Sequence, residues 1–238
     1  MGLPGSLKTV ARIAGSAWFV ATVLSAVAMT AGQEPAQPPA QTAKPQPTPE
    51  QIQERWNGVF ASGAPALNRK PNSWLVVAVD GRRPGSALDL GIGQGRNALY
   101  LAERGWKVTG VDLSDVGVAQ AKRTAAERNL QITAVVGDLE TYDFGSEQWD
   151  LITSFYVHAW HDASKTDVPA RILRALRPGG LVVMEAYAKP KVPFGFDVEA
   201  LNQKFNRFRI IGNERIVAKA DWAGGRDAPI VRFIAQKP

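Results

Sequence analysis

Apolar residues along this chain come in short, nearly unbroken runs, and from Ser86 onward these runs alternate with stretches of helical spacing. "SALDLGIG" is bounded by glycine and has the length of a buried strand, whereas "RNALYLAERG" carries its apolar residues on one helical face and stops at Gly105. The rhythm repeats. "WKVTGVDLS" reads as a second strand, and "DVGVAQAKRTAAERN" as a helix with Ser114 placed to cap it. "QITAVVGDL" and "WDLITSFYV" are a third and a fourth strand, "KTDVPARILRALRPGG" predicts a helix, and "LVVMEAYA" a fifth strand. Strands joined by helical crossovers call for a parallel sheet covered on both faces, and the continuous apolar character of the strands agrees. After Pro193 the pattern changes. "DVEALNQKF" predicts a helix, and the strand-like "RFRIIGNERIVAKADW" and "PIVRFIAQ" flank Gly224-Gly225, the mark of an antiparallel hairpin at the end of the sheet. The expected architecture is α/β: a doubly wound, mostly parallel, seven-stranded sheet with a C-terminal antiparallel hairpin.

Upstream of the alternation the chain changes character twice. Lys8 and Arg12 precede the uncharged "IAGSAWFVATVLSAVAM" of Ile13–Met29, and Ala26-Val27-Ala28 supplies small residues of the kind found at signal cleavage sites. Residues 1–31 are therefore expected to be a signal peptide or a membrane anchor, the apolar run being at the short end of what spans a bilayer. Either takes the chain to a membrane, secreted or periplasmic if cleaved and anchored if not. An anchor with the domain inside would put Lys8 and Arg12 on the outer side, against the positive-inside preference. Residues 32–49, "GQEPAQPPAQTAKPQPTP", have almost nothing apolar to bury and read as an extended linker. The folded domain is expected over residues 50–238, opening on "PEQIQERWNGVF", where Ile52, Trp56 and Phe60 have helical spacing.

Composition narrows the chemistry. The 238 residues are 45% apolar, ordinary for a globular protein, and include no cysteine, which excludes disulfides, thiolate metal sites and cysteine nucleophiles. The net charge of +6 is not gathered into Lys/Arg blocks, so nucleic acid is not an expected partner. From Lys189 to Pro238 ten Lys/Arg stand against five Asp/Glu, a bias that a solvated basic face accounts for.

The stretch with the most chemistry in it is "ALDLGIGQGRN", in which Gly91, Gly93 and Gly95 follow a strand that contains Asp89. Glycines after the first strand of an open α/β sheet let the backbone approach a ligand at the carboxyl edge. A dinucleotide fingerprint would need glycine at position 96, where the chain has Arg96, and no Walker A lysine follows. An acid two residues before the first glycine suits a cationic ligand and opposes a pyrophosphate. Asp112 ends the second strand about 20 residues after the loop, where a carboxylate can accept both hydroxyls of a ribose. Gly137-Asp138-Leu139 follows the third strand, where a carboxylate can accept from an adenine amino group while a backbone N–H donates to the ring. Together the three strand ends describe a nucleoside with a zwitterionic, cationic tail and no phosphate.

"LDLGIGQGRN", "VTGVDLS", "GDLETYDF", "WDLITSFYV" and "LRPGGLVVMEAY", in that order, resemble the motifs of class I S-adenosylmethionine-dependent methyltransferases, which have a Rossmann-like fold. "RN" after the loop and "LYLAERGWKVTGVD" are most similar to the tellurite-resistance/thiopurine-type branch, which methylates small soft nucleophiles. The resemblance runs from about Arg69 to the C-terminus. It implies S-adenosyl-L-methionine as cofactor, with Asp89 and the Gly91, Gly93 and Gly95 backbone at its methionine end, and Arg96 and Asn97, which open the first helix, also among its binding residues. It further places Asp112 and Leu113 at the ribose, Asp138 and Leu139 at the adenine, and Phe155 in the pocket wall. Asp89 has a second reading, as a carboxylate capping the N–H groups of its own loop, and Asn97 a second reading as a helix cap. Gly117, inside the second helix, reads as incidental.

The segment "FYVHAWHD" holds both histidines, His158 and His161, after the fourth strand, where the fold places the methyl acceptor. With Tyr156 they are the candidate catalytic side chains; a polar cap on a surface helix is the plainer reading of the histidines. Too few ligands surround them for a metal site, and none is expected. Phe155, Tyr156 and Trp160 read as pocket wall or core, and Trp56, Trp74 and "RKPNSWL" as a segment that closes over the ligand. The expected function is methylation of a small molecule at sulfur, selenium or tellurium. The alternatives are a non-catalytic binder of S-adenosylmethionine or S-adenosylhomocysteine, an oxygen or nitrogen methyltransferase with a histidine base, and an NAD-type oxidoreductase, which Arg96 disfavours.

Overall fold

The computed structural model describes residues 47–63, 67–157, 167–189, 195–222 and 226–238. The signal or anchor reading of residues 1–31 and nearly all of the linker therefore lie outside the described residues, as do Trp160, His158, His161 and Gly224-Gly225. Among the described residues no helix is long and apolar enough to cross a membrane.

Seven strands form one sheet: β1 (Ser86–Leu90), β2 (Lys107–Asp112), β3 (Ile132–Val136), β4 (Trp149–Phe155), β5 (Leu176–Tyr187), β6 (Arg209–Lys219) and β7 (Asp227–Gln236). Their order is β3-β2-β1-β4-β5-β7-β6; the first five are mutually parallel, and β7 lies antiparallel between β5 and β6. This is the Rossmann-like sheet with a C-terminal antiparallel pair that the pattern predicts.

Continuous apolar strands follow from burial on both faces, because alternate side chains of a strand point to opposite sides. Leu181 and Val183 of β5 join one core with Leu75, Leu101 and Val118, which come from α2 (Ser73–Val79), α3 (Arg96–Glu103) and α4 (Asp115–Glu127). Val182 and Met184 join the other with Ile172 and Leu201, which come from α5 (Val168–Ala175) and α6 (Val198–Lys204). Local signals fix the helix starts: Ser114 accepts from the Gly117 N–H, Asp167 from Ala170, and Asp197 from Ala200. The first helix, α1 (Pro49–Ala61), opens with a reciprocal capping box between Thr48 and Gln51 and with proline in its first turn.

Two elements differ from expectation. The helix read through "RALRPGG" ends at Ala175, and those residues open β5 instead. Pro178 is the cause, since it disfavours helical backbone at Arg177 and cannot donate within a helix. "RKPNSWL", read as part of a segment that closes over the ligand, contains a helix start: the Asn72 side chain accepts from the Trp74 and Leu75 N–H groups and caps α2.

Candidate cofactor and acceptor site

The strand order reverses between β1 and β4, so the carboxyl end of β1 stands at the point where an open α/β sheet leaves a crevice. There Gly91, Gly93 and Gly95 all have left-handed backbone, with φ of 79°, 50° and 88°. A Cβ at Gly91 would stand 2.2 Å from Val157 Cγ2, and one at Gly95 would stand 2.9 Å from Ala121 Cβ. The loop thus needs glycine twice over, for its dihedral angles and for its closeness to the start of the β4–α5 connection and to α4. The N–H groups of Gly91 and Ile92 both donate to Val111 O, at 2.8 and 3.1 Å, which ties the loop to β2.

Three carboxylates lie at or next to the carboxyl ends of three neighbouring strands: Asp89 in β1, Asp112 closing β2, and Asp138 just past β3. Strands pair about 4.8 Å apart, so these acids span roughly 10 Å along one edge, a length that suits a nucleoside with an amino-acid tail. Asp89 is buried and accepts from the Thr153 hydroxyl at 2.7 Å. Burial pushes its carboxyl up to about 6, against the opposing pull of the Thr153 hydrogen bond and of Arg96. The reading of Asp89 as a cap for the loop N–H groups is therefore corrected: it accepts from Thr153, the residue opposite it on β4. The loop is capped by Asp112 instead, whose Oδ2 accepts from the Gly93 N–H and Oδ1 from the Ser114 N–H, both at 2.8 Å. Burial raises the Asp112 carboxyl as well, offset by those N–H groups. Asp138 Oδ1 accepts from the Glu140 N–H at 2.9 Å, and Leu139 beside it is buried. Leu113 is half-buried between Asp112 and the α4 cap.

Arg96 and Asn97 follow the loop and make their hydrogen bonds outside it. The Arg96 guanidinium pairs with Asp221 at 3.0 Å and reaches the carbonyls of Lys70 and Asp221. Asn97 does not cap α3, a correction to one of its two readings: Gly95 holds the cap position, and buried Asn97 accepts from the Asn72 N–H at 2.9 Å. Gly117 is not incidental either. Its N–H donates to Ser114 Oγ, and a Cβ there would stand 3.0 Å from the Phe60 ring.

That ring belongs to α1, which lies across the start of α4. Asn57 Oδ1 accepts from the Ser114 hydroxyl at 2.6 Å, while its amide donates to Asp115 Oδ1 at 2.6 Å. The Gln120 amide donates to Phe60 O at 3.0 Å. Phe60 also fills the space beside Gly93, where a Cβ would meet its Cζ at 2.9 Å, and Trp56 stacks on it and meets Trp222 edge-on. Of the expected covering segment, Trp56 is thus at the glycine loop through Phe60. Trp74 packs under the Arg232 guanidinium, 5.3 Å from its ring centre.

Beyond β4 the chain turns sharply at Tyr156, a non-glycine residue with φ of 59°. Its N–H donates to Glu185 O and its hydroxyl to Glu185 Oε1, both at 2.8 Å. Burial and the adjoining carboxylate push that hydroxyl well above its usual range, so it is held as a proton donor to Glu185. Glu185, itself buried, also accepts from Asn72 Nδ2 at 2.7 Å and Arg232 Nε at 2.8 Å. Asn72 reaches on to Asp221 at 3.1 Å. This cluster of Asn72, Tyr156, Glu185, Asp221 and Arg232 joins Arg96 beside the glycine loop. Of its members sequence reasoning singled out only Tyr156 and Arg96. The available signal was an acid inside the otherwise apolar "LVVMEAY", since a buried carboxylate requires partners. Phe155 is buried in the core on this face.

Residues 87–180 match a family model described as a methyltransferase domain. Over these residues the chain is similar to the S-adenosylmethionine-dependent methyltransferases of class I. A malonyl-[acyl-carrier protein] O-methyltransferase of Enterobacter lignolyticus is 32% identical over 53% of this chain and 49% of its own. A 2-heptyl-1-hydroxyquinolin-4(1H)-one methyltransferase of Mycobacteroides abscessus is 30% identical over 52% and 55%. The chain therefore spans about half the length of the curated relatives it matches. The crystal structure of TehB from Haemophilus influenzae shares the fold, with a TM-score of 0.59 at 22% identity over 69% of this chain and 61% of that one. The glycine loop, Asp112 and the Asp138 turn all fall inside the matched methyltransferase domain.

Proposed function

We propose that the chain binds S-adenosylmethionine across the ends of β1, β2 and β3 and methylates a small molecule at a soft nucleophile, sulfur, selenium or tellurium. The observation that carries the cofactor reading is the alignment of Asp89, Asp112 and Asp138 on three adjacent strands beside a loop of left-handed glycines. In this reading Asp89, held by Thr153, faces the cationic methionine end. Asp112 exchanges its loop N–H partners for ribose hydroxyls, and Asp138 with the Leu139 N–H takes the adenine. S-adenosylmethionine supplies a methyl group activated on sulfur. The protein's residues then orient the acceptor in line with that methyl and exclude water. The acceptor's lone pair forms the new bond to carbon as the carbon–sulfur bond breaks, S-adenosylhomocysteine leaves, and any acceptor proton passes to solvent.

Two features support a soft acceptor. Without cysteine, the chain cannot capture an acceptor through a thiolate. Tyr156, the one candidate catalytic side chain among the described residues, stays protonated and donates its hydroxyl to Glu185, so it offers no base. A thiol or selenol is already partly ionised near neutral pH and needs only positioning. The test is S-adenosylhomocysteine formation from S-adenosylmethionine with small thiols, selenite and tellurite, set against phenol and amine acceptors. Asp112→Ala should weaken calorimetric binding of S-adenosylhomocysteine by about 2–3 kcal/mol, the scale of charge-assisted hydrogen bonds to ribose. Tight binding with no turnover on any acceptor would favour a non-catalytic binder, and turnover confined to phenols or amines would favour a histidine-assisted reaction.

A further inference from the structure

The loop that carries Asp138 is rooted in the core by buried Leu139 and Phe144. Between β3 and β4 there is neither helix nor strand, and β3 itself is a short strand at the sheet edge. Asp138 O accepts from the Thr141 and Tyr142 N–H groups at 3.1 and 2.7 Å, and its Oδ1 from the Glu140 N–H at 2.9 Å, which curls the loop around the carboxylate. The tie from this loop to a helix comes from α5. Arg171 donates through Nη1 to Leu139 O at 2.8 Å and to Glu140 O at 3.2 Å, and through Nη2 to Tyr142 O. Its guanidinium lies 4.1 Å from the centre of the Phe144 ring, further along the same loop. One half-buried side chain therefore meets three carbonyls and one ring of a single loop. The fold does not ask for this arginine to fill its core, because Val168, Ile172 and Ala175 supply the buried face of α5. A planar fork of donors can hold three carbonyls in fixed relation, which a lysine ammonium cannot do.

We propose that Arg171 is a positioning residue for base recognition: by fixing the carbonyls of Leu139, Glu140 and Tyr142 it sets the Asp138 carboxylate and the Leu139 N–H at the adenine edge. This inference rests on the cofactor reading above. The residue acts through the loop, so its signature is discrimination between bases rather than affinity alone. In an inosine analogue the 6-amino donor is replaced by an acceptor oxygen, which an aimed carboxylate rejects.

The experiment measures calorimetric affinity of the full chain for S-adenosylhomocysteine and S-inosylhomocysteine, in wild type, Arg171→Lys, Arg171→Ala and Arg174→Ala. Arg174 also bonds this loop, to Asp143 and Gly145 O, and serves as the control for general loop stability. Wild type should prefer the adenosine compound by roughly thirtyfold, the scale of one charge-assisted hydrogen bond. Arg171→Lys, which keeps the charge and lets the domain fold if Arg171→Ala does not, should lower the preference to about threefold or less, while Arg174→Ala keeps it. An unchanged preference in Arg171→Lys, an equal loss in Arg174→Ala, or a wild type indifferent to the base would each overturn the inference and leave the cofactor reading standing. A wild type that binds neither compound would overturn the cofactor reading itself.

Discussion

Replacing Asp89 with asparagine tests how the glycine loop keeps its charge. The side chain is buried, and its one recorded hydrogen-bond partner is the Thr153 hydroxyl, which an asparagine carbonyl oxygen can accept from equally well. The substitution removes charge with little change of shape. Burial moves the carboxyl from its ordinary 3.8 to about 6 in the folded protein. A raised acid binds more protons folded than unfolded between those two values, so stability falls as pH rises through that window and is level above it. At about 1.36 kcal/mol per pH unit, the ionised Asp89 costs the ligand-free protein about 3 kcal/mol near pH 7.5 and roughly half that near pH 5. Asp89→Asn should therefore unfold at higher urea than wild type near neutral pH, with the advantage shrinking toward pH 4. S-adenosylhomocysteine should reverse the order, because its ammonium group favours the carboxylate it faces. Urea titrations at several pH values, with and without the ligand, read both effects. An Asn variant whose stability differs from wild type by the same amount at every pH would refute the argument, since it would mean that Asp89 is not charged at a cost.

Three further outcomes are expected. Gly91→Ala should lose roughly 2–4 kcal/mol by urea unfolding, since it combines a left-handed backbone with a Cβ driven against Val157; a loss under about 1 kcal/mol would mean that the loop relaxes freely. Glu185→Ala strands Arg232, Asn72 and the Tyr156 hydroxyl, and should lower stability by about 3–5 kcal/mol in the same assay; a near-neutral result would mean that water replaces the carboxylate. His158→Ala and His161→Ala should each lower kcat/KM by less than about tenfold; a hundredfold loss in either, with S-adenosylhomocysteine affinity intact, would assign the chemistry to a base-assisted oxygen or nitrogen acceptor.

The parts of this molecule legible in its sequence are those governed by near neighbours. The apolar runs of β1, β4 and β5 read as strands because both their faces are buried, and Ser114 reads as a cap because its partner is three residues away. Asp112 stood out through its spacing from the glycine loop. What escaped reading depends on distant partners. Asn97 has the right type to cap α3, yet its carbonyl serves Asn72, 25 residues upstream. Arg96 looked like part of the loop, but Asp221, 125 residues on, determines where it points. Arg171 reads in the sequence as one more polar residue on a helix, and only the fold brings the β3–β4 loop under it. The α5 boundary was misjudged for a local reason: the apolar spacing of "ARILRALRPGG" outweighed the restriction that Pro178 places on the residue before it.

The cluster around Glu185 also sets a schedule for folding. Asn72 and Asp221, hydrogen-bonded to each other, are 149 residues apart, and Glu185 lies 113 residues from Asn72. Contacts of such separation form late, because a long stretch of chain must be ordered before any of them contributes. As the ribosome extends the chain, the glycine loop and β2 can come together as soon as both have emerged. The buried carboxylate in β5 meanwhile waits for Arg232 in β7. A nascent domain stalled before that arginine would hold an uncompensated charge inside its sheet. Strand β7 thus supplies the charged partner of a carboxylate that β5 has already buried, and the cluster closes only when β7 docks.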